Sequence, residues 1–106
     1  MENLKALFIV VNAGFAQEII DIARDKGASG ATIMNARGEG TTHQTVFGIT
    51  IDSEKEMVLS IVPGKVAVKI MDTIKEKAGV KTPAHGVCFL LPVDKMTATI
   101  ATTGEE

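Results

Sequence analysis

Apolar and polar positions along the chain follow the same order twice. In the first copy, a predicted strand at residues 5–11, continuously apolar over 7–11, precedes residues 15–26, where apolar side chains recur at the spacing of an amphipathic helix. A shift of 51 positions places a second apolar run, 57–62, and a second helical pattern, 65–78, on these segments. The shift also pairs the following helical positions: Ala16 with Ala67, Ile19 with Ile70, Ile20 with Met71, Asp21 with Asp72, and Lys26 with Lys77.

A further apolar segment follows each helical pattern, at residues 31–36 and 86–91. Each copy is therefore predicted to form a strand, a helix and a strand. Two such units in tandem predict an α+β fold, the ferredoxin-like βαββαβ sandwich, in which a four-stranded antiparallel sheet carries two helices on one face. Because 106 residues suffice for one hydrophobic core, we predict a single domain over residues 1–106.

The segments outside the repeat carry weaker signals. The spacing of apolar residues over 45–51 indicates a strand-like segment and favours a folded hairpin, and residues 52–55 read as a charged turn. A short edge strand is predicted over residues 97–101. Asn12 is placed to cap the first helix and Gly27 to end it, since these residue types are preferred at the two helix termini.

Three of the four predicted strands are apolar at almost every position. An antiparallel sheet with one solvated face should alternate apolar and polar residues, and two helices can cover only one face of a four-stranded sheet. The second face would then expose a larger apolar patch than soluble monomers usually carry. We predict a homo-oligomer whose sheets pack inward, the alternative being a monomer in which segment 46–51 folds back over this face.

Composition and charge exclude several classes of protein. The net charge of −2, without a clustered basic run, argues against a nucleic-acid surface. The N-terminal residues lack the pattern of a signal peptide, and no apolar run approaches the ~20 residues of a membrane span. A single cysteine cannot form an internal disulfide, so we expect a reducing, cytoplasmic setting.

The sequence contains no recognisable catalytic constellation. Cys88 stands between apolar residues, which favours a buried thiol over a nucleophile. His43 and His85 are 42 positions apart without the spacing of metal ligands, so we interpret them as solvated loop residues and expect no metal. The motifs of nucleotide-binding loops and of nucleophile elbows are missing from the chain. We therefore predict that the protein is not an enzyme.

Two glycine-containing loops interrupt the repeat, at residues 38–43 and 82–86. Glycine allows backbone N–H groups to approach an anion, and threonine hydroxyls add donors. Arg37 and Lys65 could supply positive charge, the latter beside the start of the second helix. In the predicted fold both loops lie at the same end of the sheet, so they could line one cleft for a small anionic ligand, within one chain or across a subunit boundary.

With these features, the chain resembles the PII family of trimeric signalling proteins that report nitrogen and carbon status. The likeness covers nearly the whole length, and the order and spacing of its motifs carry it. These motifs are residues 6–11, 27–32, 37–40, 61–63, 85–89 and 103–105.

The resemblance implies a homotrimer with adenine-nucleotide sites (for ATP, ADP, AMP or a cyclic nucleotide) in the clefts between subunits. It implies a T-loop segment, residues 38–56, that docks a target protein such as a membrane transporter. It also implies a B-loop segment, residues 82–87, that offers backbone N–H groups to phosphates. Ser29 and Thr32 match positions near the base, and Gly40 matches a position near the phosphates. The predicted effector-binding residues are Ser29, Thr32, Arg37, Gly38, Gly40, Thr41, Lys65, His85, Gly86 and Val87.

The chain also departs from the family pattern. It contains no tyrosine, so uridylylation of a T-loop tyrosine is excluded, and its T-loop segment is shorter than the usual one. The phosphate-binding lysine of the B-loop is matched by Val87, and two C-terminal arginines are matched by Ile100 and Thr102. Because charge-assisted contacts are the strong ones, the resemblance implies weakened ATP binding and favours ADP, AMP, a cyclic nucleotide or bicarbonate.

Two alternatives remain open from the sequence. One is a metal-associated trimer resembling the CutA proteins, which share this sandwich, with His43, His85 and Cys88 as ligands. The other is an enzyme whose small active site would be built around His43 and Glu39.

Overall fold

The computed structural model describes residues 3–38, 44–46, 49–51 and 53–98. In chain order, its elements are β1 (Leu4–Asn12), α1 (Ala16–Asp25), β2 (Thr32–Gly38), β3 (Gln44–Val46), β4 (Ile49–Ile51), β5 (Ser53–Pro63), α2 (Gly64–Lys77) and β6 (Val87–Pro92).

The main sheet has four antiparallel strands in the order β2-β5-β1-β6. Its two repeat units are β1-α1-β2 and β5-α2-β6, so the predicted ferredoxin-like α+β class is confirmed. Strands β3 and β4 pair with each other in a separate antiparallel hairpin between the two units. The hairpin favoured by the apolar spacing of residues 45–51 is therefore present.

Strand β5 begins earlier than the sequence pattern predicts. Residues 53–55, which we expected to belong to a charged turn, pair with residues 36–38 of β2. The prediction was wrong because both strands run on past the core, where polar side chains are tolerated and the backbone groups still find partners. Arg37 lies opposite Glu54 in this extension. Of the predicted edge strand at 97–101, Thr97 and Ala98 form a bend, and the remainder lies outside the described residues.

The core lies between the two helices and one face of the sheet. Ile19 and Ile70, which the repeat pairs, are both fully buried, so the two helices present equivalent positions to the sheet. Ser60 is the polar member of the buried face at 2% exposure, and its hydroxyl donates a hydrogen bond to the Gly30 carbonyl at 2.7 Å. Every buried side-chain nitrogen or oxygen of the described residues has such a partner.

The opposite face of the sheet is apolar and open. The rings of Phe8 and Phe89 stack across β1 and β6 with centroids 5.1 Å apart. Val87, Phe89 and Leu91 are between 43% and 49% exposed, so the chain leaves this part of the face uncovered. The alternative of a monomer in which segment 46–51 folds back over this face involves residues 47 and 48, which lie outside the described residues. In the described part of the chain, no helix is both long and apolar enough to cross a membrane.

Candidate effector-binding site

Four strand termini meet at one end of the main sheet. Strands β1 and β2 end there, and strands β5 and β6 begin there, because each strand runs antiparallel to its neighbours. We call this the loop end of the sheet and the opposite end the far end. The T-loop segment leaves the sheet at the loop end after Gly38, and the B-loop segment enters it there at Val87. The expectation that both loops share one end of the sheet is correct.

Within one chain, however, the two loops stand at opposite edges. Strands β2 and β6 are the outer strands, separated by β5 and β1. Three interstrand spacings of about 4.8 Å put the edges about 14 Å apart. The T-loop segment returns to the sheet through β5, however, and Asn12 at the end of β1 hydrogen-bonds both Lys55 of β5 and the Pro83 carbonyl of the B-loop segment. A cleft lined by both loops can therefore lie within one chain or between the β2 edge of one chain and the β6 edge of another.

The B-loop segment is held by its own hydrogen bonds. The backbone N–H and the hydroxyl of Thr82 both donate to the Gly79 carbonyl, at 3.0 and 2.8 Å. The His85 N–H donates to the Thr82 carbonyl at 3.0 Å, and the Gly86 N–H donates to the Ala78 carbonyl at 2.7 Å. These three N–H groups already donate to carbonyls of the loop or of the turn after α2, so a phosphate bound here would rely on other donors.

The backbone is constrained at Gly86 and at His85, for a different reason at each residue. A Cβ atom on Gly86 would lie 2.4 Å from the backbone oxygen of Ala78, so only glycine allows the loop to approach the end of α2 this closely. His85 has a φ of 51°, in the left-handed region. Its Nδ1 atom lies 2.9 Å from the Val80 carbonyl oxygen. The loop is thus shaped by α2 and by the turn that follows this helix.

A cavity of about 350 Å³ adjoins the B-loop segment between α2 and β6. This volume is at the lower end of the range for small-molecule sites. Its lining residues are Met71, Asp72, Ile74, Lys75, Gly79, Val80, Gly86, Val87 and Cys88. Burial raises the pKa of the Cys88 thiol above its ordinary value, because desolvation disfavours the thiolate. The cavity therefore combines apolar walls and a thiol of raised pKa with one acidic and one basic side chain.

Sequence reasoning missed a polar cluster at the loop end. The Glu56 carboxylate accepts hydrogen bonds from the N–H groups of Gly14 and Ala16, at 3.0 and 3.1 Å, and so caps α1. Asn12, which we predicted to cap this helix, instead joins Lys55 to Pro83 through its side-chain amide. The prediction failed because the partners are more than 40 residues away along the chain. Charged and amide residues at facing strand ends were the available signal.

The described residues that we predicted to bind the effector fall into two groups, with the exception of Lys65. Thr32, Arg37 and Gly38 lie on the β2 edge, with Ser29 exposed just before it. His85, Gly86 and Val87 lie at the β6 edge.

Lys65 stands apart from both groups. It lies in the first turn of α2, which follows Pro63 at the far end of the sheet, opposite Leu4. Gly40 and Thr41 lie outside the described residues.

The alternative metal site and the alternative enzyme active site each include a residue outside the described part of the chain. His43 and Glu39, which the metal and enzyme hypotheses require, are outside the described residues. Among residues 3–38, 44–46, 49–51 and 53–98, no group of three His, Cys, Asp or Glu side chains could hold a metal ion. His85 and Cys88 thus have no third ligand in that part of the chain.

Comparison with known proteins points to one family. The sequence model of the nitrogen regulatory protein P-II family matches residues 4–103. No curated protein sequence matches the chain significantly.

Solved structures agree on the fold. A PII-like signalling protein from Thermus thermophilus superposes with a TM-score of 0.68 and 23% identity, covering 87% of this chain and 88% of that one. B. subtilis GlnK in complex with ATP superposes with a TM-score of 0.65 and 15% identity, covering 87% of this chain and 85% of GlnK. CPII from Thiomonas intermedia K12, bound to ADP, AMP and bicarbonate, superposes with a TM-score of 0.64 and 18% identity, covering 97% of this chain and 94% of CPII. At these identities the likeness establishes a shared fold.

Proposed function

Because the chain belongs to the nitrogen regulatory protein P-II family, whose members are signalling proteins, we propose that it is a non-enzymatic signal-transduction protein. It forms a homotrimer, binds a small anionic effector in the clefts between subunits, and regulates a partner protein through its T-loop segment. The effector is an adenine nucleotide. The protein works in the cytoplasm, and its partner is a protein such as a membrane transporter.

The open apolar face supports the trimer. Phe8, Phe89 and Leu91 form part of a face that a lone chain leaves exposed, and burying it against other subunits removes apolar surface from water. Ligand binding in the clefts between subunits is what the family resemblance implies. The match of the P-II family model to residues 4–103 is the observation that carries the proposal.

The cavity beside the B-loop segment supports a nucleotide as the effector. Its apolar lining, from Met71 and Ile74 among others, suits a flat base, and one basic side chain, that of Lys75, suits a phosphate. Val87 occupies the position that the resemblance gives to the family's phosphate-binding lysine, so a ligand with less charge than ATP fits better. CPII, which shares the fold, has been seen with ADP, AMP and bicarbonate, and GlnK with ATP.

A thermal-shift screen of the purified protein against ATP, ADP, AMP, cyclic AMP, cyclic di-AMP and bicarbonate, with and without Mg²⁺, tests the effector. A ligand that binds only the folded state stabilises it by ~2.7 kcal/mol at a hundredfold excess over its Kd. We expect a larger shift with ADP or AMP than with ATP. If none of these ligands shifts the melting temperature, the nucleotide part of the proposal is wrong.

A matched pair of variants tests the place of binding. Val87→Lys restores a cation to the B-loop segment and should tighten ATP binding about tenfold, since hydrogen bonds to charged groups are worth about 1.5–3 kcal/mol. Val68→Lys adds the same charge at an equally exposed valine on α2 and should leave ATP binding unchanged. Equal effects of the two variants would indicate non-specific attraction rather than this site.

Light scattering tests the assembly. The expected mass is three times the 11.2 kDa of one chain. Phe89→Glu should dissociate the assembly, because it places a charge in the middle of the open face. A wild-type mass equal to one chain would refute the trimer.

A further inference from the structure

The side chain of Asn12 lies between two parts of the loop end. Its Oδ1 atom accepts a hydrogen bond from the Lys55 ammonium at 2.7 Å, and its Nδ2 donates to the Pro83 carbonyl at 2.8 Å. The backbone N–H of Asn12 donates to the Ala84 carbonyl, also at 2.8 Å. One residue at the end of β1 therefore connects β5 to the B-loop segment.

Lys55 also packs against the base of the T-loop segment. A Cβ atom added to Gly38 would lie 2.9 Å from Cε and 3.3 Å from Cγ of Lys55. The aliphatic part of this lysine therefore covers the backbone at the point where the T-loop segment leaves the sheet. Its ammonium group meanwhile holds Asn12, so the same side chain touches both features.

The chemistry of the partners fixes the orientation of the amide. An ammonium group can only donate hydrogen bonds, and a backbone carbonyl can only accept them. The oxygen of Asn12 must therefore face Lys55 and its nitrogen must face Pro83. The reverse orientation would place donor against donor and acceptor against acceptor. Lys55 thus reinforces the amide orientation that the Pro83 carbonyl requires, although it stands on β5, two strands from β6.

We propose that Asn12 is a positioning residue through which Lys55 sets the shape of the B-loop segment. A change at the base of the T-loop segment then alters the loop that we propose to contact the effector. The consequence for effector binding rests on the proposed function. The consequence for loop shape rests on the three hydrogen bonds alone, so the two can fail separately.

Hydrogen exchange measured by mass spectrometry on the full-length protein tests the loop shape without any ligand. The reporters are the N–H groups of Thr82, His85 and Gly86, which are hydrogen-bonded within the loop. Lys55→Met keeps the aliphatic stem over Gly38 and removes the ammonium. We expect exchange in residues 80–87 to become about two- to tenfold faster, the range for loss of one hydrogen bond.

Three further variants make the test specific. Asn12→Asp keeps the shape of the side chain and the bond to Lys55 but removes the donor to Pro83, and should accelerate exchange to a similar degree. The Asn12→Asp, Lys55→Met double variant should be no faster than the stronger single variant, because both changes break one relay. Lys69→Met makes the same lysine change at an exposed position of α2 and should exchange like wild type.

The affinity for ADP, measured by titration calorimetry, then distinguishes the possible outcomes. We expect Lys55→Met to weaken ADP binding by about two- to tenfold, and Lys55→Arg, which keeps a cationic donor, to restore most of it. Unchanged exchange in Lys55→Met, or additive effects in the double variant, would overturn the relay. Faster exchange with unchanged ADP affinity would overturn its role in binding. If wild type does not bind ADP while exchange responds as expected, the relay stands and the nucleotide proposal fails.

Discussion

The two repeat units fold alike but complete their helices in different ways. Helix α1 begins with N–H groups capped by the Glu56 side chain of the other unit. It ends locally, in a turn where Gly27 has a φ of 119° and the Ala28 N–H donates to the Ala23 carbonyl at 2.9 Å. Of the hydrogen bonds at its two ends, only those at the start of α1 come from the second unit.

Helix α2 also begins on a group of the other unit, but its end is completed from farther along the chain. Its first N–H, that of Gly64, donates to the backbone carbonyl of Asn3 at 2.9 Å. Its end is closed by the B-loop segment, because the Gly86 N–H donates to the Ala78 carbonyl just after the last turn. The two units therefore differ in how the connection after the helix is used. The unit that carries a longer return loop uses that loop to finish its helix, so loop and helix are one structural element.

The largest loss of stability is expected at the buried positions that the two repeat units share. Ile19→Ala and Ile70→Ala each remove a fully buried side chain at equivalent positions, and each should lower the free energy of unfolding by about 2–5 kcal/mol. Urea unfolding at one protein concentration measures both. If one variant costs less than half as much as the other, the units do not share an equivalent core.

The next effect distinguishes the two return loops. Gly86→Ala forces a Cβ atom against the Ala78 oxygen and should cost about 1–3 kcal/mol, the usual penalty of overpacking. Gly30→Ala, in the corresponding connection of the first unit, meets open space and should change stability by less than about 0.5 kcal/mol. Thermal unfolding of the pair is the measurement, and equal costs would contradict the comparison.

A smaller effect concerns the start of α1. Glu56→Ala removes the carboxylate that accepts from Gly14 and Ala16, and should cost about 1 kcal/mol, as the loss of a helix cap usually does. Glu56→Gln keeps an oxygen acceptor and should recover more than half of the loss. Chemical denaturation compares them, and equal stability of the two variants would argue against capping by this side chain.

The smallest expected effect is a shift in the reactivity of Cys88, beside the cavity of the second unit. Because burial raises its pKa, less thiolate is present at any given pH than for a free cysteine. The rate of alkylation by iodoacetamide should therefore rise at higher pH in the native protein than in urea. Mass spectrometry of samples quenched at successive times gives the alkylation rate against pH for the native protein and for the protein in urea. Coincident profiles would show that the thiol is not desolvated.

Much of the scaffold follows from the sequence. The 51-residue repeat anticipates the burial of Ile19 and Ile70, the strand–helix–strand units and the antiparallel sheet. The unbroken apolar strands anticipate an open apolar face, of which Phe89 is part. These features depend on the spacing of apolar side chains, and spacing is fully present in a linear chain.

The site was only partly accessible in this way. The sequence indicated the two loops and the shared end of the sheet. It did not indicate that the loops stand at opposite edges, that Lys65 lies at the far end, or that Asn12 binds Lys55 and Pro83. Each of these depends on the order of strands in the sheet, which alternation of residue types does not encode.

The sequence by itself determined which segments become strands and helices and which faces they bury, because local geometry and water decide these together. Only the tertiary structure decided which polar groups meet. Glu56 caps a helix that begins 40 residues earlier in the chain, and Gly86 completes α2 from the end of the loop that follows this helix. Hydrogen bonds require atoms within about 3 Å, and that proximity exists only once the strands are ordered and the helices are packed on them.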